Sequence, residues 1–401
     1  MATRDEIGGG AWRCAIAVGA IALLMLGLQP LVLGELLESG RVTLEGVGVV
    51  AMAEIVGLGV GVLTGDLALP VGRLRLITAL AALITAGLDL LTLRVSGDVG
   101  FALIRAAAGV GEGVLVWATT SVLVRSAQPE RKAGIFFVIQ TVAQGVVGLV
   151  LARLVVPAHG WQGAFVVLAV LSAMAMVLAV GLPGDLRPLS EHQTAERGAR
   201  FVWSIASALP LLIAFLVMAT LGSLWAYIEP LGKRAGYGAV EIQTLIAAGL
   251  GMQVIGGSIG SVLVRRLPLR ATLATSAVVL GLAALGIGRT GAGDVVAFAL
   301  LCGVFTFVWL FVAPFQMGLA FAADASGRVA ALIPAAQLFG VAFGPLVASL
   351  MVEGEEAGAV PLVSAGFAAV TVGALLLAVC AGPHPNRSPA SGRGARRAPL
   401  P

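Results

Sequence analysis

Three ionisable side chains, Glu54, Arg105 and Glu112, lie deep inside long apolar runs. An ionised group at the centre of a helix in hydrocarbon costs about 2.5–3.5 kcal/mol on insertion scales, so each needs a partner, a path to water or a task. Arg105 and Glu112 are two helical turns apart and therefore share a face. Burial penalises the charged form of a carboxyl group. Two readings follow. The carboxyls could exchange protons and couple that exchange to movement of a substrate, with Glu112 as a coupling or contact group. Alternatively, Arg105 could be held by Glu54 or by helix-end carbonyls, fixing helices 2 and 4 without touching protons. Other chemistries lack their parts. His159, His192 and His384 fall in loops or the tail, and Cys14, Cys302 and Cys380 lie far apart in apolar runs without C-x-x-C spacing. The single Gly-Lys pair, Gly232-Lys233, precedes arginine rather than Ser or Thr, so there is no phosphate-binding loop. No catalytic residue, metal site or cofactor is expected, the energy source being a proton gradient.

The elements that must hold these charges follow from composition. Of 401 residues, 59% are hydrophobic and 11% charged, with mean hydropathy +1.01; a soluble domain carries about 25% charged residues. The apolar runs recur along the chain, each near the roughly 20 residues that a helix needs to cross about 30 Å of hydrocarbon. Twelve spans are expected, at 12–33, 43–64, 73–93, 98–124, 133–155, 161–182, 203–228, 241–264, 270–288, 294–322, 329–352 and 359–381. None shows the ten-residue alternation of a barrel strand, so the class is all-α and membrane-embedded. The first run is too long for the core of a signal peptide and is kept as span 1.

Basic residues set the orientation. Arg41, Arg94, Lys233, Arg234 and Arg289 fall on one face, and Arg105 and Arg153 lie within or at the edge of spans. The other eighteen of the 25 Lys and Arg fall on the face that carries both termini. Both termini are therefore expected in the cytoplasm, in a membrane of bacterial inner-membrane type. The net charge of +4 reflects this bias, and no basic stripe interleaved with aromatics suggests nucleic acid. The expected partners are the lipid bilayer and a small molecule, with a monomeric chain.

The chain also repeats itself. GDLALPVGRLRL, from Gly65 to Leu76, pairs with GSVLVRRLPLRA, from Gly260 to Ala271, at an offset of 195; an offset of 196 pairs Gly148 with Gly344. The polar stretch 183–200 divides two six-helix units, 1–182 and 201–381, and residues 382–401 read as a disordered basic tail. Spans 6, 9 and 12 have no charged residue in their interiors, as lipid-facing scaffolds would.

At these residues the chain resembles the major facilitator superfamily. The family's signature between helices 2 and 3, roughly G-x-L-A-D-R-x-G-R-x-R, stands here as Gly65-Asp66-Leu67-Ala68-Leu69-Pro70-Val71-Gly72-Arg73-Leu74-Arg75. Leu69 and Pro70 replace the family's Asp and Arg; that Asp helps lock the cytoplasmic gate, and Asp66 is the acidic residue left nearby. The helix-4 motif R-x-x-x-G-x-G is matched by Arg105, Gly109 and Gly111. Pro129-Glu130-Arg131 before helix 5 and Gly160-Trp161 at helix 6 are similar to family patterns as well. Trp225-Ala-Tyr227-Ile-Glu229-Pro230 looks like the helix-7 ending of bacterial drug and sugar efflux members. Gly340, Gly344 and Pro345 resemble the antiporter signature, displaced from helix 5 to helix 11.

The resemblance implies two pseudo-symmetric six-helix bundles that rock about a central site. It also implies that helices 1, 4, 7 and 10 line the cavity. Gln29, Trp117, Trp225, Tyr227, Trp309 and Gln316 are then substrate-cavity candidates; Arg105, Glu112 and Glu54 are coupling candidates; Gly65, Asp66, Gly72, Arg73 and Arg75 form the gating loop. The expected function is proton-coupled secondary transport of a small amphipathic organic molecule, with export favoured. The alternatives are proton-coupled import of an organic acid or nutrient, and a membrane sensor or scaffold that transports nothing.

Overall fold

The computed structural model describes residues 8–125, 129–184, 186, 204–324, 328–352 and 356–380. Most of the expected divider at 183–200, and the expected tail, lie outside the described residues. Eleven helical stretches among the described residues are long and apolar enough to cross a membrane. One of them, Ile135–Gly181, runs for 47 residues, enough for two crossings. It is broken at Gly160, whose φ of 60° and ψ of −160° place it where a side chain would be strained. Twelve spans result, in the expected order.

Among the described residues, spans 1 and 10 are broken and span 7 is followed by a second, short helix. Span 1 comprises Gly9–Ala22 and Leu24–Glu38, joined at Leu23. Span 7 is Ile205–Trp225, followed after a turn by the short helix Ile228–Arg234. Span 10 is split into Val295–Phe311 and Ala313–Ala323, with Pro314 at the start of the second piece, where its missing N–H costs least. Irregular backbone inside a membrane is tolerated where it is packed in protein or lines a cavity. Spans 1, 7 and 10 are three of the four that the family resemblance assigns to the cavity. Span 4, Asp98–Val124, is the fourth and is continuous.

Span 2, Leu44–Ala68, starts with the Thr43 hydroxyl accepting the Gly46 N–H, while Thr43 donates its N–H (2.8 Å) and hydroxyl (2.6 Å) to Asp98. The starts of spans 2 and 4 are thereby tied together. Span 2 ends later than expected: Gly65–Ala68 is helical, and the turn is confined to Leu69, which is extended, and the 3₁₀ turn Val71–Arg73. The residue before a proline is pushed out of the helical region, so Pro70 ends the helix one residue upstream of itself. Span 3 follows as Leu74–Thr92.

Small residues bring the helices of each half together. Gly57 and Gly61 of span 2 face the backbone of Ala106, Val110 and Gly113 in span 4, and Gly109 faces the Glu54 carbonyl; a methyl group at any of these would meet main chain. Leu83, Val170, Leu282 and Leu376, one from each of spans 3, 6, 9 and 12, are exposed, which is the expected state of apolar side chains facing lipid.

Candidate functional site

The close approach of spans 2 and 4 fixes the site. With Gly109 packed on the Glu54 carbonyl, the side chain of Glu54 meets Arg105 one helical turn before that glycine. Arg105 is fully buried and touches three carboxylates. Its Nε stands 3.1 Å from Glu54 Oε1, to which Nη2 also donates; Nη1 donates to Asp89 Oδ1 at 2.7 Å and Nη2 to Glu112 Oε1 at 3.2 Å. The face of the guanidinium lies 5.5 Å from the Phe165 ring centroid in span 6. Ser172, also in span 6, donates to Asp89 Oδ2 at 3.2 Å. One cation thus gathers acids from spans 2, 3 and 4, with span 6 closing the back.

The three candidates Glu54, Arg105 and Glu112 are brought together. The expectation that only three buried charges qualify is corrected by Asp89, whose exposure is 2%. Its signal was in the sequence: Asp89 is the lone acid of span 3. It sits near that helix's end, where a carboxylate reads as reaching the interface, but Arg105 of span 4 and Ser172 of span 6 enclose it.

A fully ionised cluster would carry a net charge of −2, one guanidinium against three carboxylates. Buried charge without a partner is costly, and a single Arg offers a limited set of donors. Beside Asp89 and Glu112 lies a cavity of about 10 Å³, also lined by Thr85 and Ser172, near the lower bound for holding one water. The excess of negative charge thus lies beside a space of about one water, buried among spans 1, 3, 4 and 6.

The substrate-cavity candidates separate into groups. Trp117 packs over Gly65 at the end of span 2, in the core of the first half. Gln29 donates to the Ala51 carbonyl at 3.2 Å, next to the charge cluster. In the second half Trp225 and Trp309 meet edge to face, with ring centroids 5.5 Å apart, and Gln316 accepts from Gln337 of span 11 at 2.6 Å. Trp225 also borders an apolar groove of about 420 Å³ between spans 8 and 10, lined among others by Ile246, Met252, Leu300 and Phe307. Leu300, on its rim, is exposed. Tyr227 is fully buried at the seam between halves, its phenol against Gly48 of span 2.

In the gating loop, Gly65 seats Trp117, and Asp66, Gly72 and Arg73 are exposed. Arg75 donates from Nε to the Leu182 carbonyl, clamping span 3 to the end of span 6. On the arginine-poor face the two halves are joined by side chains: Arg153 Nε donates to Thr244 Oγ1 at 2.8 Å, Gln243 to Glu35, and Lys233 to Glu38.

The family model of the Major Facilitator Superfamily matches residues 90–345. No curated protein matches the sequence. Among solved structures, a point mutant of the nucleoside transporter NupG is similar over 92% of this chain and 99% of its own, with TM-score 0.72 and 13% identity. NupG itself has TM-score 0.68 at 13% identity, covering 92% of this chain and 98% of its own. A bacterial homologue of the human lysosomal transporter Spinster, inward-facing and unoccupied, has TM-score 0.61 at 14% identity over 92% of this chain and 94% of its own. At such identities the likeness concerns the fold.

Proposed function

The chain belongs to the Major Facilitator Superfamily, and on that premise we propose that it is a proton-coupled exporter of a small amphipathic organic molecule. The observation that carries this reading is the Arg105 cluster: three buried carboxylates on one guanidinium, beside a water-sized cavity. A proton is the smallest ligand that relieves the excess of negative charge. Glu112 is the carboxyl proposed to take it, because its contact with Arg105 is the longest of the three and it borders the cavity. Glu54 and Asp89 hold the guanidinium in place.

The cargo is proposed to meet the second half, where Trp225, Trp309 and the apolar groove offer ring faces and hydrophobic walls. Arg105 is fully buried and already engaged by three acids, so it has no free donor fork for a substrate carboxylate. That speaks against import of an organic acid. Both termini are placed in the cytoplasm, on the arginine-rich side, and the protein works by alternating access.

The test compares small molecules inside and outside cells with and without the protein, and repeats the comparison with the proton gradient collapsed. The cargo should accumulate inside in both deficient conditions. In vesicles, Glu112→Gln should lower gradient-driven movement of that cargo by about tenfold or more while leaving exchange of labelled for unlabelled cargo intact. Gradient-driven flux equal to that of the unchanged protein would remove Glu112 from the mechanism.

A further inference from the structure

A second acidic group lies far from Arg105, at the seam on the arginine-poor face. Glu229, in the short helix after span 7, is fully buried. Its carboxylate belongs to the second half but lies against Gly34 of span 1 in the first; a methyl group on Gly34 would occupy the place of the carboxyl. Glu35 and Glu38 project from the same turn of span 1, and one carboxylate oxygen from each of the three residues lies within 4.8 Å of the other two. Lys233, one turn after Glu229, places Nζ 2.9 Å from Glu229 Oε1 and donates to Glu38 across the seam. Glu229 Oε2 has no hydrogen-bond partner. The groups facing Glu229 are thus Glu35 and Glu38 from span 1 and Lys233 from its own helix. From span 8 comes the uncharged Gln243, which donates to Glu35.

We infer that Glu229 is a proton-binding latch: protonated, it locks the halves together on this face, and ionised, it lets them part. The charge balance gives the reason. When Glu229 is ionised, it neutralises Lys233 within the second half, and that half presents no net charge to Glu35 and Glu38. When Glu229 is protonated, Lys233 is left as an unshared cation facing two carboxylates across the seam. The neutral carboxyl also leaves Oε2, buried against Gly34 without a hydrogen-bond partner, free of an ionic desolvation cost. Burial, opposed by Lys233 and reinforced by Glu35 and Glu38, pushes the Glu229 carboxyl up to about 8, within reach of ordinary pH changes. The closed seam therefore binds the proton more tightly than an open, solvated one, so closure is favoured below that range and lost as pH rises through it.

This latch rests on the alternating-access reading above but not on Glu112 as the coupling group, and one experiment separates the two. Spin labels at Arg94→Cys and Arg289→Cys, exposed residues beside the arginine-poor face in the first and second halves, report the distance across the seam. Cys14, Cys302 and Cys380 are replaced by serine. From pH 6 to pH 9 a longer-distance population should grow, with the closed-to-open ratio falling by up to about tenfold per pH unit as pH approaches about 8, the slope of a single proton, and levelling off above it. Glu229→Gln, neutral and of the same shape, should stay short throughout. Gly34→Ala, which removes the seat, should be long throughout. Glu112→Gln should keep the pH response. A distance that does not change with pH overturns the latch, as does a response that survives in Glu229→Gln. A response lost in Glu112→Gln but kept in Glu229→Gln overturns it too, and assigns the proton to the Arg105 cluster.

Discussion

Among the described residues, acid is buried in two places, and they differ in what surrounds them. Around Arg105 every partner comes from one half: Glu54, Asp89, Glu112, Ser172 and Phe165 sit on spans 2, 3, 4 and 6. Around Glu229 the partners are divided, Lys233 on its own side and Glu35 and Glu38 on the other. A cluster inside one bundle can change protonation without moving the halves apart. A cluster across the seam cannot, because opening it removes the partners. The first arrangement suits a store of protons and the second a gate.

Substitutions can break that comparison. The largest effect is expected from Arg105→Leu, which strands three buried carboxylates; removing one partner of a buried ion pair costs about 3–5 kcal/mol, so thermal unfolding should show a collapse in stability or a failure to fold. Arg105→Lys should restore folding and coupling only in part, since an ammonium cannot serve three acids with a planar fork. Next comes Glu112→Gln: gradient-driven transport should fall by about tenfold or more while exchange persists, a change of at least ~1.4 kcal/mol in the coupled step. Asp89→Asn should cost about 1–3 kcal/mol of stability, because Ser172 and Arg105 lose an ionised acceptor, and calorimetry reads it directly. Raising pH through about 8 should weaken closure at Glu229 and leave the Arg105 core folded, a contrast visible in hydrogen exchange at the two sites. Smallest of all, Asp66→Asn, at an exposed helix end, should change stability by no more than about 0.5 kcal/mol. A normal transport rate in that variant would show that the altered loop does not gate through Asp66.

How far these sites were legible from the sequence depends on which distance matters. The pairing of Arg105 with Glu112 follows from two turns of one helix. Pairing with Glu54 was open as one of two readings, since helices 2 and 4 are adjacent only once their glycines interlock. Asp89 carries no local sign of its depth, which depends on spans 4 and 6. Trp117 and Trp309 look equivalent as aromatics on cavity helices, yet one packs over Gly65 and the other over Trp225. Glu229 was visible only as part of an efflux-like ending; nothing local predicts its seat on Gly34, 195 residues earlier.

The sequence by itself determined the solvent, the number of spans and the side on which the basic loops gather, because apolar length and charge asymmetry act on each segment independently. It did not determine where helices break: Pro314 starts the second piece of span 10, while Pro30, Pro210, Pro334 and Pro345 lie inside unbroken helices. The tertiary structure alone decided which acids share a cation and which face the seam, because a carboxylate's partner is set by distances between helices, and those are fixed by how closely small residues let two backbones approach.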